Sequence, residues 1–145
     1  MNPNLLPSEM SISDQARILR ELQELPHRLF ELKEKLNEHN RNIVGYKNTL
    51  LEKEFSLEAT KAALVLTAEF AELKNDTARK AHITQHTQVE EGAIVLFRQY
   101  LTVEEANLAE FKSEHDSTYL KLRALMIASE QIAAYMNFAA AGEQP

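Results

Sequence analysis

The chain has 145 residues, of which 44% are apolar and 26% are charged, a composition typical of one folded domain and not of a disordered chain. It contains no cysteine, which excludes disulfide bonds, thiolate zinc sites and a cysteine nucleophile. Its formal net charge of −6 argues against strong binding of the whole chain to a nucleic-acid backbone.

The sequence has no membrane or export signal that we can recognise. No apolar run approaches the roughly 20 residues that a membrane-spanning helix needs. Residues 1–10 lack the basic and apolar regions of a signal peptide. We therefore expect a cytoplasmic protein that does not enter a membrane.

The N-terminal part predicts a flexible tail followed by a short helix. Residues 1–10 contain two prolines and no hydrophobic periodicity. Ser11 and Ser13 are suitable N-cap residues. Pro26 either interrupts the helix that follows or begins a new one. One face of this short N-terminal helix is apolar: Ile18, Leu19, Leu22 and Leu25.

The clearest pattern is an apolar residue at every seventh position of the next helix. The row consists of Leu22, Leu29, Leu36, Ile43, Leu50, Leu57, Leu64 and Ala71. Such a heptad row predicts a stripe that packs against a partner helix. The row three residues further on is good only at first, at Leu25 and Leu32. Val44, Leu51 and Val65 widen the stripe, which favours a helical bundle over a strict two-stranded coil.

The segment Leu73–Thr77 is the best internal break, because Asn75 suits a helix end and Asp76 or Thr77 can cap the next helix. Apolar residues then return at steps of three and four. Thr102 and Glu105 resemble a capping box, so the second helix either restarts there or is continuous. The second stripe is Ile94, Phe97, Leu101, Glu104, Leu108, Phe111, His115, Thr118, Leu122, Leu125, Ser129, Ile132 and Met136.

These elements predict an all-α fold, a long antiparallel helical hairpin of coiled-coil type with a short N-terminal helix. Residues 11–138 form a single helical domain between a tail at 1–10 and a tail at 139–145. A turn centred between Asn75 and Asp76 sets six seam residues level with their partners: Leu57 with Ile94, Leu50 with Leu101, Ile43 with Leu108, Leu36 with His115, Leu29 with Leu122, and Leu22 with Ser129. The predicted core and self-association seam is Leu29, Leu36, Ile43, Leu50, Leu57, Leu64, Leu101, Leu108 and Leu122.

The sequence has no recognisable catalytic motif, so we expect a protein that is not an enzyme and needs no cofactor. His82, His86 and Glu90 are spaced four apart and would share one face of a helix, as metal ligands do. The glutamate of the metalloprotease motif is absent between the two histidines. We therefore favour solvated polar residues over a metal site.

A basic segment follows the predicted turn. Lys74–Gln88 has three basic residues and one acidic residue, and only one large apolar residue. Exposed cations beside a helix start can bind phosphate, so Lys74, Arg79 and Lys80 are the predicted nucleic-acid contacts. In the alternative interpretation these side chains only keep the end of the hairpin soluble.

The segment Leu73–Ala81, which reads Leu-Lys-Asn-Asp-Thr-Ala-Arg-Lys-Ala between two helices, resembles the hairpin turn of small helical accessory proteins of bacteriophages and mobile elements. In layout that group is similar to the oligomeric recombination mediators of T-even phages. The resemblance implies a protein that oligomerises, binds single-stranded DNA and assists a recombinase.

Together these observations predict a non-enzymatic, self-associating accessory protein, a homo-oligomer that also binds a protein partner and contacts single-stranded DNA weakly at the hairpin tip. A structural or scaffold-type assembly protein without nucleic-acid binding is the alternative. A small inhibitor is a further alternative, since Val89–Pro145 has nine acidic and four basic residues and could cover a basic protein.

Overall fold

The computed structural model describes residues 11–142 and contains three α-helices in this range: α1 (Ile12–Val65), α2 (Ala68–Glu72) and α3 (Asp76–Gly142). The predicted all-α class is confirmed. Ion pairs join α1 to α3 with increasing residue numbers on one helix matched to decreasing numbers on the other. The predicted antiparallel hairpin is therefore confirmed as well.

Helix α1 begins where the serine signal places it. The Ser11 hydroxyl lies 3.1 Å from the amide nitrogen of Asp14, whose proton it accepts, and it donates to the Asp14 carboxylate at 2.8 Å. This reciprocal cap gives a side-chain partner to an amide of the first helical turn, which also donates to the carbonyl oxygen of Ser11 at 3.0 Å. Ser13 lies inside α1 and is not the cap.

Pro26 does not divide the helix, and this corrects the prediction of a separate short N-terminal helix. α1 continues through Pro26, which lies on its exposed side. The missing amide proton removes one backbone hydrogen bond. Ile18 before it and Leu32 after it are both buried, so the packing of one continuous apolar face maintains the helix.

The turn between the long helices starts earlier than predicted and contains α2. The Thr67 hydroxyl caps α2 by accepting from the amide of Phe70 at 3.3 Å. Asn75, and not Asp76 or Thr77, caps α3, since its side-chain oxygen accepts from the amide of Ala78 at 2.8 Å. None of the residues 11–142 other than glycine has a positive φ, so the expected left-handed helix end does not occur.

Helix α3 is continuous at Thr102, which settles the alternative left open by the sequence. The Thr102 hydroxyl donates to the carbonyl oxygen of Arg98, one turn earlier, at 3.0 Å and caps no new helix. α3 also extends past residue 138 to Gly142. The predicted tail at 1–10 and residues 143–145 lie outside the described residues.

The contacts divide the chain into two compact units. The tip unit is Asn37–Ala109, and the described part of the terminal unit combines residues 11–36 with residues 110–142. Both units contain a segment of α1 and a segment of α3.

In the tip unit the predicted heptad row forms the core. Ile43, Leu57 and Ile94 are at most 7% exposed. Three ion pairs cross between the helices within one residue of the predicted level, and they agree with the predicted register for residues 47–61 of α1: Glu54 with Arg98 at 2.6 Å, Lys61 with Glu91 at 3.4 Å, and Lys47 with Glu105 at 3.3 Å. Further from the turn the register already departs from the prediction, since His39 pairs with Glu104, eight residues closer to the turn than the predicted level.

In the terminal unit a different row is buried. Ile18 and Leu32 on α1 and Leu125 on α3 form the core, whereas the predicted Leu29 and Leu122 are half-buried. A straight α-helix drifts by about 20° per heptad against a seven-residue repeat. The buried stripe therefore moves from one row to the next along α1.

The register of the terminal unit also differs from the prediction. Arg28 pairs with Glu114, and Lys121 donates to Glu21 at 3.2 Å. If the turn were centred between Asn75 and Asp76, the α3 partners of Arg28 and Glu21 would lie further from the turn in sequence than Glu114 and Lys121 do. The α3 partners predicted for Leu22, Leu29 and Leu36 are therefore wrong. The hydrogen bond from Arg28 to Glu114, together with the carboxylate charge, raises the pKa of the guanidinium above its ordinary value.

Gly45 offers a simple test of helix continuity in α1. It lies within the helix, has no positive φ, and a Cβ atom there would meet nothing within 4 Å. Gly45→Ala should therefore stabilise the protein by about 1 kcal/mol, because alanine has the higher helix propensity. Urea unfolding followed by circular dichroism measures this change, and a destabilised variant would contradict a regular helix at this position.

Candidate functional site

An aromatic and cationic cluster lies at the end of the tip unit. α2 supplies Phe70, and the first turns of α3 supply Arg79, His82 and His86. The Arg79 guanidinium lies over the Phe70 ring, 5.6 Å from its centroid, and the His82 ring is 6.3 Å from the same ring. The rings of His82 and His86 are 4.2 Å apart. Arginine over an aromatic face is a favourable cation–π arrangement.

The three predicted nucleic-acid contacts belong to this end of the hairpin. Lys74, Arg79 and Lys80 are all exposed, and Arg79 also lies 3.9 Å from Asp76, the limit of an ion pair. Phe70, which contacts Arg79, was not among the predicted residues. The sequence feature that could have indicated it is Thr67, an N-cap residue three positions earlier that begins α2.

Acidic residues also lie at the tip. α2 contains Glu69 and Glu72, both exposed, and Asp76 opens α3. The basic segment Lys74–Gln88 of the sequence begins after Glu69 and Glu72 and so does not include them. The cations therefore share the tip with three carboxylates, which weakens the attraction for phosphate and makes it dependent on salt.

The structure separates Glu90 from the two histidines that were weighed with it as metal ligands. His86 Nδ1 lies 2.8 Å from the carbonyl oxygen of His82, whereas Glu90 points to α1 and accepts from the Thr60 hydroxyl at 3.5 Å. Among residues 11–142 no group of three or more histidine, aspartate or glutamate side chains could hold a metal ion.

Thr87 is a polar residue that is buried in the tip unit. It is 0% exposed, and its hydroxyl lies 2.9 Å from the carbonyl oxygen of Ile83 and 3.2 Å from the Glu91 carboxylate, both on α3. Glu91 also pairs with Lys61 of α1, and both of these side chains are partly exposed. Thr87 lies seven residues before Ile94 in the same heptad row, and this spacing predicts its burial.

His39 interrupts the apolar row of α1 and has a carboxylate partner, as expected of a histidine in a seam. Its Nδ1 lies 2.5 Å from the Glu104 carboxylate, and both side chains are 17% exposed. Nearby, Tyr46 contacts the rings of Phe97 and Tyr100 at centroid distances of 6.1 and 5.9 Å. These contacts hold the tip unit together on one side of its core.

The segment of α3 from Gln88 to Ala109 has its charges on the side that faces α1. All five charged residues contact α1: Glu90 with Thr60, Glu91 with Lys61, Arg98 with Glu54, Glu104 with His39, and Glu105 with Lys47. The opposite side, which we call the outer face of α3, is exposed and uncharged: Val89, Gly92, Leu96, Gln99, Val103 and Ala106.

The predicted seam residues belong to the helix pairs of the two units. Ile43 and Leu57 are buried. The other members are half-buried: Leu29, Leu36, Leu50, Leu64, Leu101, Leu108 and Leu122. Their role inside each hairpin segment accounts for the heptad row, and any role in self-association stays a prediction.

Comparisons with protein-family models, curated proteins and solved structures found no match to this chain. In the part of the chain that the structure describes, no helix has the length and apolar character needed to cross a membrane.

Proposed function

We propose that this chain is a non-enzymatic, self-associating helical accessory protein that acts in the cytoplasm without a cofactor. The observation that carries the proposal is the number of large apolar side chains exposed outside the helix seams. On α1 of the tip unit, Val44, Leu51 and Phe55 are 58–78% exposed. The terminal unit has comparable residues, among them Leu120 and Phe138.

A helix pair buries only one stripe of each helix, and α1 and α3 have apolar residues on more than one stripe. Contiguous apolar surface of this kind usually marks a contact with another protein. The buried residues of each unit already have partners within the chain, so the exposed rows are the surface available for association.

Sedimentation velocity over a concentration series tests the proposal. We expect an apparent mass that rises above the 16.5 kDa of one chain as the concentration increases to tens of micromolar. The rise should persist at high salt, because burial of apolar surface is not screened. A single species of monomer mass throughout the series would refute self-association.

A second candidate function is weak contact with single-stranded nucleic acid at the tip. The cluster of Phe70, Arg79 and His82 favours it, since bases stack on aromatic rings and arginine planes, while Lys74 and Lys80 attract phosphates. With the resemblance of Leu73–Ala81, this candidate places the protein in phage or mobile-element recombination or replication. Several tips in one oligomer would strengthen a weak contact through avidity.

The alternative without nucleic acid is a scaffold-type or inhibitor-like protein that binds another protein through its exposed rows. A binding assay with fluorescent single-stranded DNA at low and high salt separates the two. Binding that weakens steeply with salt favours the nucleic-acid role. Self-association without any DNA binding at low salt favours the scaffold role.

A further inference from the structure

We propose that His82 and His86, near the start of α3, form a binding site for a divalent transition-metal ion of the zinc, nickel and copper class. One ring nitrogen of each histidine binds the ion, and water molecules complete its coordination. The ion therefore exchanges with solvent and is not a resident cofactor. This site goes beyond the proposed self-association and does not depend on it.

The two histidines lie side by side on one face of α3. Their spacing of four residues places them one helical turn apart, where side chains are neighbours. The two ring centroids are 4.2 Å apart. His82 is half-buried and His86 is exposed, so solvent and ions reach the pair. A metal ion lies about 2.0–2.1 Å from an imidazole nitrogen, and two rings this close together can bind the same ion.

The helix backbone prepares His86 for this role. Its Nδ1 lies 2.8 Å from the carbonyl oxygen of His82. A carbonyl oxygen can only accept a hydrogen bond, so Nδ1 carries the proton and donates it, and Nε2 of the neutral ring keeps its lone pair. Metal-binding histidines commonly donate from their second ring nitrogen to a backbone carbonyl or a carboxylate. The tautomer of His86 is therefore the one that binds a metal through Nε2.

The other three histidines have different surroundings. Each of them lies within 3.4 Å of a carboxylate oxygen: His27 of Glu31, His39 of Glu104, and His115 of Asp116. None of the three has another histidine three or four residues away in the sequence. They cannot bind an ion together with a second imidazole of the same helix face, as His82 and His86 can.

The ligand set determines the class of ion and the strength of binding. Glu90 points to α1, and the described part of the chain offers no group of three ligands, so the protein supplies two imidazoles. Imidazole suits zinc, nickel and copper, whereas magnesium and calcium prefer oxygen ligands. Copper should bind most tightly of the divalent first-row ions. With water in the remaining positions, binding should be weaker than in a closed site of four protein ligands.

The exposed cations of the tip do not exclude a metal ion. An equal number of carboxylates lies on α2 and at the start of α3, so the charges listed here cancel: Lys74, Arg79 and Lys80 against Glu69, Glu72 and Asp76. The two imidazoles are neighbours only when this part of α3 is helical. An ion that binds both of them binds the folded chain in preference to the unfolded chain, and therefore stabilises it.

Isothermal titration calorimetry with ZnCl₂ tests the site. We expect one Zn²⁺ bound per chain, tighter binding of Cu²⁺ and no binding of Mg²⁺. His82→Gln and His86→Gln should each weaken Zn²⁺ binding roughly tenfold or more, because the second imidazole acts at a high effective concentration on the same helix. Equal Zn²⁺ binding by the unaltered protein and by the variant with both changes would overturn the site.

Two control variants separate a paired site from the general affinity of histidine for metal ions. Thr84→His combined with His86→Gln keeps five histidines but spaces two of them two residues apart, on different faces of the helix. This variant should bind Zn²⁺ as weakly as His86→Gln alone. His27→Gln removes an exposed histidine outside the pair and should keep the full affinity. Full affinity in the first control, or a loss in the second as large as in His86→Gln, would overturn the paired site.

Urea unfolding followed by circular dichroism gives a second measurement. Saturating Zn²⁺ should raise the unfolding midpoint of the unaltered protein and of His27→Gln, and should leave that of His86→Gln unchanged. The same rise in all three proteins would show that the ion acts elsewhere in the chain.

Discussion

Leu32→Asp should unfold the terminal unit. Leu32 is 0% exposed on α1 and forms the core of the described part of that unit together with Ile18 and Leu125. Loss of a buried leucine side chain costs about 2–5 kcal/mol, and a carboxylate placed there has no ion-pair partner in the core. Because a typical domain is stable by only about 5–15 kcal/mol, we expect urea unfolding followed by circular dichroism at 222 nm to move to a much lower midpoint.

Leu19→Asp is the matched control for this variant. It makes the same chemical change on the same helix, but Leu19 is 60% exposed. The expected loss is below about 1 kcal/mol, most of it the lower helix propensity of aspartate. Both variants are compared at one protein concentration, since association also stabilises the folded state. Equal losses in the two variants would show that the buried row of the terminal unit is misplaced.

Reversal of charge at the tip should abolish binding to single-stranded DNA. The double variant Arg79→Glu and Lys80→Glu removes two of the three exposed cations and adds two carboxylates beside Asp76 and Glu72. Phosphate binding through so few cations depends on each of them. The fold should tolerate the change, because glutamate in the first turns of α3 interacts favourably with the helix dipole. Fluorescence anisotropy with a labelled oligonucleotide at low salt measures the loss.

The control is Lys33→Glu with Arg41→Glu, which changes the net charge equally at two exposed positions of α1 away from the tip. This variant should keep most of the affinity. If it loses binding as strongly as the tip variant, the effect is one of total charge and no local site exists. If only the control loses binding, the contact lies on the part of α1 that contains Lys33 and Arg41. If the unaltered protein does not bind at low salt, the nucleic-acid candidate fails.

The fold class could be predicted from the sequence because two independent features both indicate long helices. The heptad row from Leu22 to Leu64 and the lack of proline between Pro26 and the last residue each favour long helices. The sequence alone did not decide whether Pro26 interrupts the helix. The loss of one backbone hydrogen bond destabilises the helix, and the packing that offsets this loss is visible only in the folded chain. The predicted register held close to the turn, for residues 47–61 of α1, and had already shifted at His39. It failed in the terminal unit, where the buried stripe had drifted to Ile18 and Leu32.

The candidate sites followed only in part. The cations Lys74, Arg79 and Lys80 were predicted from the net basic charge of Lys74–Gln88 and from its single large apolar residue, which are properties of the local sequence. Phe70 joins them only because α2 folds back, and a five-residue helix has too little periodicity to be recognised. The outer face of α3 was missed because its apolar row and the inner seam overlap in sequence, and only the contacts with α1 separate them.

Covalent cross-linking is the most direct test of the central claim, that the chain associates with itself through its exposed apolar rows. The protein has no cysteine, so Leu51→Cys carries a single thiol on the exposed row of α1 in the tip unit. A short bismaleimide should convert a large share of this variant into a covalent dimer. Ser117→Cys, an exposed polar position of α3 in the terminal unit, should remain largely monomeric. Monomer alone from Leu51→Cys, or an equal yield of dimer from both variants, would contradict the account.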